Sequence, residues 1–347
     1  MNPYLIGMKI TKIISILICC CFIFSCGKNN ETEFYGVSIS APDLSKNNND
    51  ISFGEYVDLL RMSNGLGFDI FRNSFSKDSS CNNMGFSALF LYRDWYLSNY
   101  DRDYLNRIAD FASINDTSSV QMCERLNEIE DLVLPIDSSI NLSFVASVEN
   151  KDSLKFNQSF EFPLVYEDAL KTKSLKFFLN DTLSQEREFF SLSENFNCVL
   201  TEKELVAEIP IGNGSFSLMM ITPLQLSWRN YAASLSEGKY IQLIESLEKR
   251  NTTIIFPAFE DFCESIRLYP PLQAVISDSA TPSNIIVDIN LKFRQPNEAL
   301  LQSMQKTLGE KIINTGNGEP IVFDKPFIFI IKENNSRMVL LQGTYVK

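Results

Sequence analysis

Glu319-Pro-Ile-Val-Phe-Asp-Lys-Pro-Phe-Ile-Phe-Ile-Ile-Lys332, Glu333-Asn-Asn-Ser336 and Arg337-Met-Val-Leu-Leu-Gln-Gly-Thr-Tyr-Val-Lys347 close the chain. Two runs rich in β-branched and aromatic residues flank a polar four-residue connection, the pattern of a β-hairpin. Neither run alternates cleanly. Phe327 to Ile331 is apolar at every position, so the spacing predicts a hairpin buried on both faces.

The opposite end of the chain has a different character. Lys9 and Lys12 precede an apolar run from Ile13 to Phe24, broken by Ser15 among polar residues and followed by Ser25-Cys26. A basic start, a short apolar core and a small residue before the cleavage point describe a secretory signal peptide over 1–25, and Met8 is an alternative start. The apolar run is short for a bilayer span. Ile23-Phe-Ser-Cys26 resembles a bacterial lipobox, whose cysteine becomes the lipidated first residue; the alternative is a plain signal peptide with an incidental cysteine. The lipobox reading implies a protein anchored to the cell envelope at the outer membrane or cell surface, without a membrane span. The mostly polar residues 26–50 read as a flexible tether and 51–347 as the folded domain.

Composition excludes several functions. The chain has no histidine, which removes every Ser-His-Asp, Cys-His and His-ligated metal arrangement. The net charge is −12, and loss of the signal peptide takes two lysines and no acids, so a nucleic-acid partner is not expected. Cys81, Cys123, Cys198 and Cys263 are widely spaced, without a Cys-x-x-Cys pair for zinc. They stand equally well as disulfides or as buried free thiols. No phosphate-binding glycine loop or carboxylate pair is present, and neither a cofactor nor enzymatic activity is expected.

Between these ends the elements read as follows. A helix begins after Ser52 with Tyr56, Leu59 and Leu60 on its apolar side. Met84 to Tyr92 reads as a helix, Arg93 to Phe111 as a surface helix and Met122 to Leu134 as a third. Ile140–Val148, Leu154–Phe162 and Leu175–Leu179 read as strands, the first with Leu142, Phe144 and Ala146 on one face. Glu204–Ile211 and Ser215–Pro223 form a hairpin around Gly212-Asn-Gly214. Trp228 to Lys249 contains amphipathic helix, with Tyr240, Leu243, Ile244 and Leu247 at helical spacing. Arg250–Phe259 and Ile285–Phe293 are further strands.

Three of these phrases resemble the serpin family in the family's order. They are Pro210 to Pro223, Ile254 to Phe259 with Phe256-Pro-Ala-Phe259, and Phe323-Asp-Lys-Pro-Phe through Val346 with its closing Gly343. Phe75-Ser-Lys-Asp-Ser79 is a weaker likeness to a serpin Phe-Ser-Pro-x-Ser element that precedes a buried helix. Lys77 replaces its proline, and Asn82-Asn83 stands where alanines are expected. The helix ending at Pro135 followed by the Ile140 strand is similar to the family's approach to its long central strand. Tyr92 to Met122 is short for a full serpin. The resemblance implies an α+β single domain with a large mixed central β-sheet, helices packed on it and a buried C-terminal hairpin, in a shortened member of the family. It also implies a serine or cysteine protease as partner.

An inhibitory serpin is cleaved in an exposed loop whose freed segment inserts into the sheet, which requires a Glu, then Gly, then small residues. Counted back from Pro326, the hinge candidates are Glu298, Leu300 and Ser303, so the glycine position holds leucine. On insertion Leu301, Ser303, Gln305 and Thr307 would face inward, and an unpaired buried glutamine amide costs about 1–3 kcal/mol. Pro296 would also remove a ladder hydrogen bond. Asn297 to Leu308 reads better as a helix stopped by Gly309. The reactive-loop candidates are Lys311, Ile313, Asn314 and Thr315. The favoured expectation is a non-inhibitory envelope lipoprotein acting through protein binding. An active protease inhibitor and an unrelated lipoprotein binding or assembly module are the alternatives.

Overall fold

The computed structural model describes residues 32–34, 37–39, 53–77, 83–89, 137, 139–150, 153–164, 173–180, 182–259, 262–268, 284–294 and 319–346. In chain order the elements are β1 (Thr32–Phe34), β2 (Val37–Ile39), α1 (Phe53–Lys77), β3 (Met84–Phe86), β4 (Asn141–Asn150), β5 (Ser153–Pro163) and β6 (Lys173–Phe178). Next come β7 (Ser184–Leu200), β8 (Glu204–Ile211), β9 (Phe216–Pro223), α2 (Trp228–Ser234), α3 (Glu237–Glu245) and β10 (Glu248–Pro257). The last are β11 (Phe262–Leu268), β12 (Asn284–Arg294), β13 (Ile321–Val322), β14 (Phe327–Glu333) and β15 (Val339–Tyr345).

Among the described residues β1 and β2 pair with each other, and the remaining strands form two sheets. The larger has nine strands, in the order β13-β10-β7-β8-β9-β14-β15-β3 with β6 beside β7. The smaller has four, in the order β11-β12-β5-β4. The terminal hairpin is β14–β15, and every residue of both strands is buried. Full burial requires cover on two sides. On one side Gln342 donates to the Gly67 carbonyl of α1 at 2.6 Å, and α2 packs on β9 and β14. On the other, Phe329 and Tyr345 meet Phe259 and Phe262, which lead into the four-stranded sheet.

The hairpin turn is held by its own carboxylate. Buried Glu333 accepts from the backbone N–H groups of Asn335 and Ser336, and Arg337 takes a left-handed conformation (φ 62°). Lys332 is buried and paired with Glu208, which also accepts from Asn197 at 3.0 Å. Glycine is required at 343, because a Cβ there would lie 2.2 Å from the Met84 carbonyl oxygen and 2.4 Å from the Phe329 ring.

Several expectations are met closely. Ile285–Phe293 lies within β12, Arg250–Pro257 of the expected Arg250–Phe259 strand lies in β10, and Gly212 and Gly214 turn β8 into β9 with positive φ. Three others are corrected. The helix after Ser52 runs to Lys77, so Phe75 lies in its last turn, its ring 5.0 Å from that of Phe71 and 5.6 Å from that of Trp228, rather than in a separate element between two helices. It passes through Gly65 and Gly67 because Gly67 sits where a Cβ would be 3.1 Å from that of Ala88. Met84–Phe86 is a strand, not a helix; pairing with Thr344, Gly343 and Gln342 of β15 overrides local preference, and helix begins at Ala88. The strand after Ile140 is at the edge of the four-stranded sheet, with β5 inside it. Residues 93–111 and 122–134, read as helices, lie outside the described residues, as does the signal peptide and lipobox stretch 1–26; of the tether 26–50, Thr32–Phe34 and Val37–Ile39 pair as β1 and β2 and the rest lies outside the described residues.

Of the cysteines, Cys198 and Cys263 are free thiols, buried in β7 and exposed on β11, and Cys81 and Cys123 lie outside the described residues. Burial pushes the Cys198 thiol up to about 12, with the Arg250 charge opposing and Glu208 adding to the rise. A thiol reagent at pH 8 is therefore expected to modify Cys263 and spare Cys198 until the protein is unfolded, as mass mapping of labelled peptides would read. Gly343→Ala is expected to lower stability by about 3 kcal/mol, measured as a fall in the urea midpoint, because backbone and ring both block the methyl group.

Candidate functional site at a parallel seam

The four-stranded sheet contains one joint unlike its neighbours. β12 pairs with β5 in parallel over eleven positions, from Asn284↔Ser153 to Arg294↔Pro163, while β11–β12 and β4–β5 are antiparallel. Parallel pairing is slightly weaker per residue than antiparallel pairing, and here it runs over the longest register in the sheet.

The two faces of the seam follow from alternation. In β5, Phe156, Gln158, Phe160 and Phe162 are buried, and Lys155, Asn157, Ser159 and Glu161 face outward. In β12, Val287, Ile289 and Leu291 are buried against them, with Asp288, Asn290 and Lys292 outward. Leu142, Phe144 and Ala146 of β4 are in register with Phe160, Gln158 and Phe156 of β5.

Gln158 is the one polar side chain among those four inward positions of β5, and it is satisfied. Its carboxamide oxygen accepts from Ser87 N–H at 2.8 Å, and its nitrogen donates to Ser87 C=O at 3.3 Å. That pair of bonds ties β5 to the chain just after β3. The neighbouring residues of β3 reach the other strands. A Cβ on Gly85 would be 2.7 Å from Ile289 Cδ1 of β12, and Asn83 donates to Glu264 of β11 at 2.7 Å while accepting from Val346 N–H. The short strand β3 therefore backs the seam from inside and joins it to the hairpin.

On the outer face Lys155 forms an ion pair with Asp288 across the seam at 2.8 Å. Partial burial pushes the Asp288 carboxyl up, and hydrogen bonds from Lys155 and Ser265 with the Lys155 charge outweigh it, so its pKa lies below the usual value. Ser143, Asn157, Ser159, Cys263 and Asn290 join this pair around a shallow recess of about 620 Å³. At the far end of the seam Arg294 Nε lies 3.3 Å from Glu161 Oε1. Among the described residues no group of three or more Cys, Asp or Glu side chains is placed to hold a metal ion.

Structural comparison decides what this two-sheet arrangement is. Uncleaved ovalbumin matches with a TM-score of 0.63 at 13% identity, over 83% of this chain and 99% of that chain. The mouse protein-Z dependent protease inhibitor matches with 0.63 at 13%, over 85% of this chain and 100% of its own. SRPN18 from Anopheles gambiae matches with 0.60 at 12%, over 84% and 98%. The chain has the serpin fold. No family model matches the sequence, and no curated protein matches it.

Within this serpin fold the sequence-derived site residues fall outside the described part. Cys26, the hinge candidates Glu298, Leu300 and Ser303, and the loop candidates Lys311, Ile313, Asn314 and Thr315 are all among the undescribed residues. The two ends of their segment are placed: it leaves β12 at Arg294 and returns at Glu319, whose carbonyl accepts from Thr252 Oγ1 at 2.9 Å. Gln158, Lys155, Asp288 and Arg294 were not singled out from sequence. A signal for Gln158 was present: it occupies a core position in the run Phe156-Asn-Gln-Ser-Phe-Glu-Phe162. Gln158→Leu is expected to cost about 1–3 kcal/mol by stranding the buried Ser87 backbone groups, read as a lower denaturant midpoint and faster hydrogen exchange at Ser87.

Proposed function

We propose that this chain is a non-inhibitory serpin-fold protein, held to the cell envelope by lipid on Cys26, that acts by binding a protein partner and has no catalytic activity of its own. The observation that carries the reading is the mismatch between the seam and the segment that follows it. A strand entering between β5 and β12 must lay alternate side chains between Phe156, Gln158 and Phe160 on one side and Val287, Ile289 and Leu291 on the other. The segment after Arg294 offers Leu301, Ser303, Gln305 and Thr307 at that spacing. Gln158 already commits one donor and one acceptor of its amide to Ser87, and its inward neighbours are phenylalanines, so the seam offers Gln305 few polar partners. The small residues that make insertion inexpensive are absent.

A protease inhibitor is the second reading. It is favoured by the closed parallel seam with the connecting segment leaving from its end, and one matched structure is named as a protease inhibitor. In that case a serine or cysteine protease is the partner.

Incubating the mature domain with trypsin-, elastase- and subtilisin-like proteases separates the two. The expected outcome is cleavage or no reaction, with no adduct surviving SDS and no rise in melting temperature after cleavage. An SDS-stable adduct would establish the inhibitory reading instead.

A further inference from the structure

The strands that border the two sheets do not treat their free edges alike. β6, which has β7 as its one strand partner among the described residues, carries Lys173 and Lys176. β11, at one border of the four-stranded sheet, is seven residues long, carries Glu264 and Arg267, and is tied to the lead-in of β3 by the Asn83–Glu264 bond. Short strands and charged side chains keep an edge from templating another strand. β4, at the other border, has neither protection. It is ten residues long, contains no Lys, Arg or Pro, and holds its one charge, Glu149, beside its last residue. β5 pairs with one edge of β4, and no strand pairs with the other among the described residues. An antiparallel strand bonds its neighbour through every second residue, so the intervening backbone groups of β4 point to that open edge.

The sequence of β4 fits a second copy of itself. Positions 142, 144 and 146 are in register with buried Phe160, Gln158 and Phe156 of β5 and hold Leu, Phe and Ala, and Val148 follows at the same spacing. Two antiparallel β4 strands keep these apolar positions on one face only where even positions pair with even and odd with odd. Centred on Val145, that register pairs Leu142 with Val148 and Phe144 with Ala146. On the other face it pairs Val145 with itself, Ser143 with Ser147 and Asn141 with Glu149. Each large apolar residue meets a smaller one, serine meets serine, and the one carboxylate meets an amide rather than its own copy. Moving the centre to Ala146 would oppose Leu142 with Asn150. The Val145 register keeps positions 142 to 148 within the regular part of β4, short of its irregularity between Val148 and Asn150.

We propose that β4 is a homodimerisation edge, through which two copies of this chain pair antiparallel about a two-fold axis at Val145 and join their four-stranded sheets into one. A contact of this isologous kind closes on itself and leaves neither β4 edge free, so assembly stops at the dimer. One strand ladder is a small interface, so the dissociation constant is expected in the micromolar range. Tethering both copies to one membrane would raise their local concentration, an advantage that rests on the lipid-anchor reading. The pairing does not depend on how the segment after Arg294 behaves toward a protease.

The test uses the full mature chain and cysteine substitutions whose outcome depends on register. In Val145→Cys the two thiols stand opposite each other, with Cβ atoms about 4.5–5.5 Å apart, close enough for a disulfide to form. Mild oxidation is expected to convert most of this variant to a reducible dimer on SDS gels, while wild type, Ser143→Cys and Ser147→Cys stay largely monomeric. Mixing the Ser143→Cys and Ser147→Cys chains is expected to restore the dimer. By sedimentation, Val145→Lys is expected to weaken the wild-type dimer at least tenfold with its circular dichroism unchanged, because two like charges then face each other. A wild-type chain that stays monomeric up to about 100 µM overturns the proposal. Equal cross-linking of Ser143→Cys and Val145→Cys, or a dimer that Val145→Lys leaves intact, overturns it as well. An SDS-stable protease adduct would revise the proposed function and leave this result standing.

Discussion

A hairpin with no exposed face constrains everything around it. β14 and β15 bury all their residues, so they must be covered on both sides, and an isolated hairpin would be marginal at best. α1, α2 and α3 supply one cover, with Tyr240 donating to Arg337 C=O and Asn64 bonding both Arg337 C=O and Val339 N–H. The aromatic group around Phe259 supplies the other, where Phe262, Phe293, Phe327, Phe329 and Tyr345 meet edge-on or tilted. Phe259 itself has φ 53°, a strained conformation for a phenylalanine, held where the nine-stranded sheet gives way to the four-stranded one.

From this hairpin the constraint passes to the seam through three residues. β15 pairs with β3; Gly85 of β3 abuts Ile289 of β12; Asn83 and Ser87 on either side hold Glu264 and Gln158. Two close approaches, at Gly343 and Gly85, bring the sheets near enough for these bonds to form. Two interior polar groups are paired across elements: Gln158 with Ser87, and Glu208 with Lys332 and Asn197. Such pairs add modest net stability but penalise any other register, because a slip would leave a buried amide or charge alone. The outer face of the seam, held by Lys155–Asp288 and Arg294–Glu161, remains polar and half exposed.

Legibility varied with how local the determining forces were. The hairpin, β8–β9, β10 and β12 were readable because their apolar runs and turn residues carry their own signal. β7 was not read. Its Ser184–Leu200 run changes partners along its length, from β6 to β8 on one edge with β10 on the other, so its burial pattern follows three neighbours rather than one period. Met84–Phe86 looked helical because it continues into helix at Ala88; the strand exists because β15 is there to pair with it. The site was legible only in part. Gln158 stood at a visibly anomalous core position, but Arg294 and Asp288 carry no local mark, since their partners lie 155 and 133 residues away in β4's lead-in and in β5.

By itself the sequence determined that this chain ends in a doubly buried hairpin, lacks histidine chemistry, and follows the last strand of its smaller sheet with a segment rich in Leu, Met and Gln rather than Gly and Ala. Those properties reside in residue type and spacing. Only the tertiary structure decided that β5 and β12 lie side by side in parallel, that Gln158 meets Ser87, and that Arg294 reaches Ser139 and Glu161. The physical reason is sequence separation. Pairings that bring together segments more than a hundred residues apart are selected by the burial of the whole core, and no local pattern records which partner will arrive.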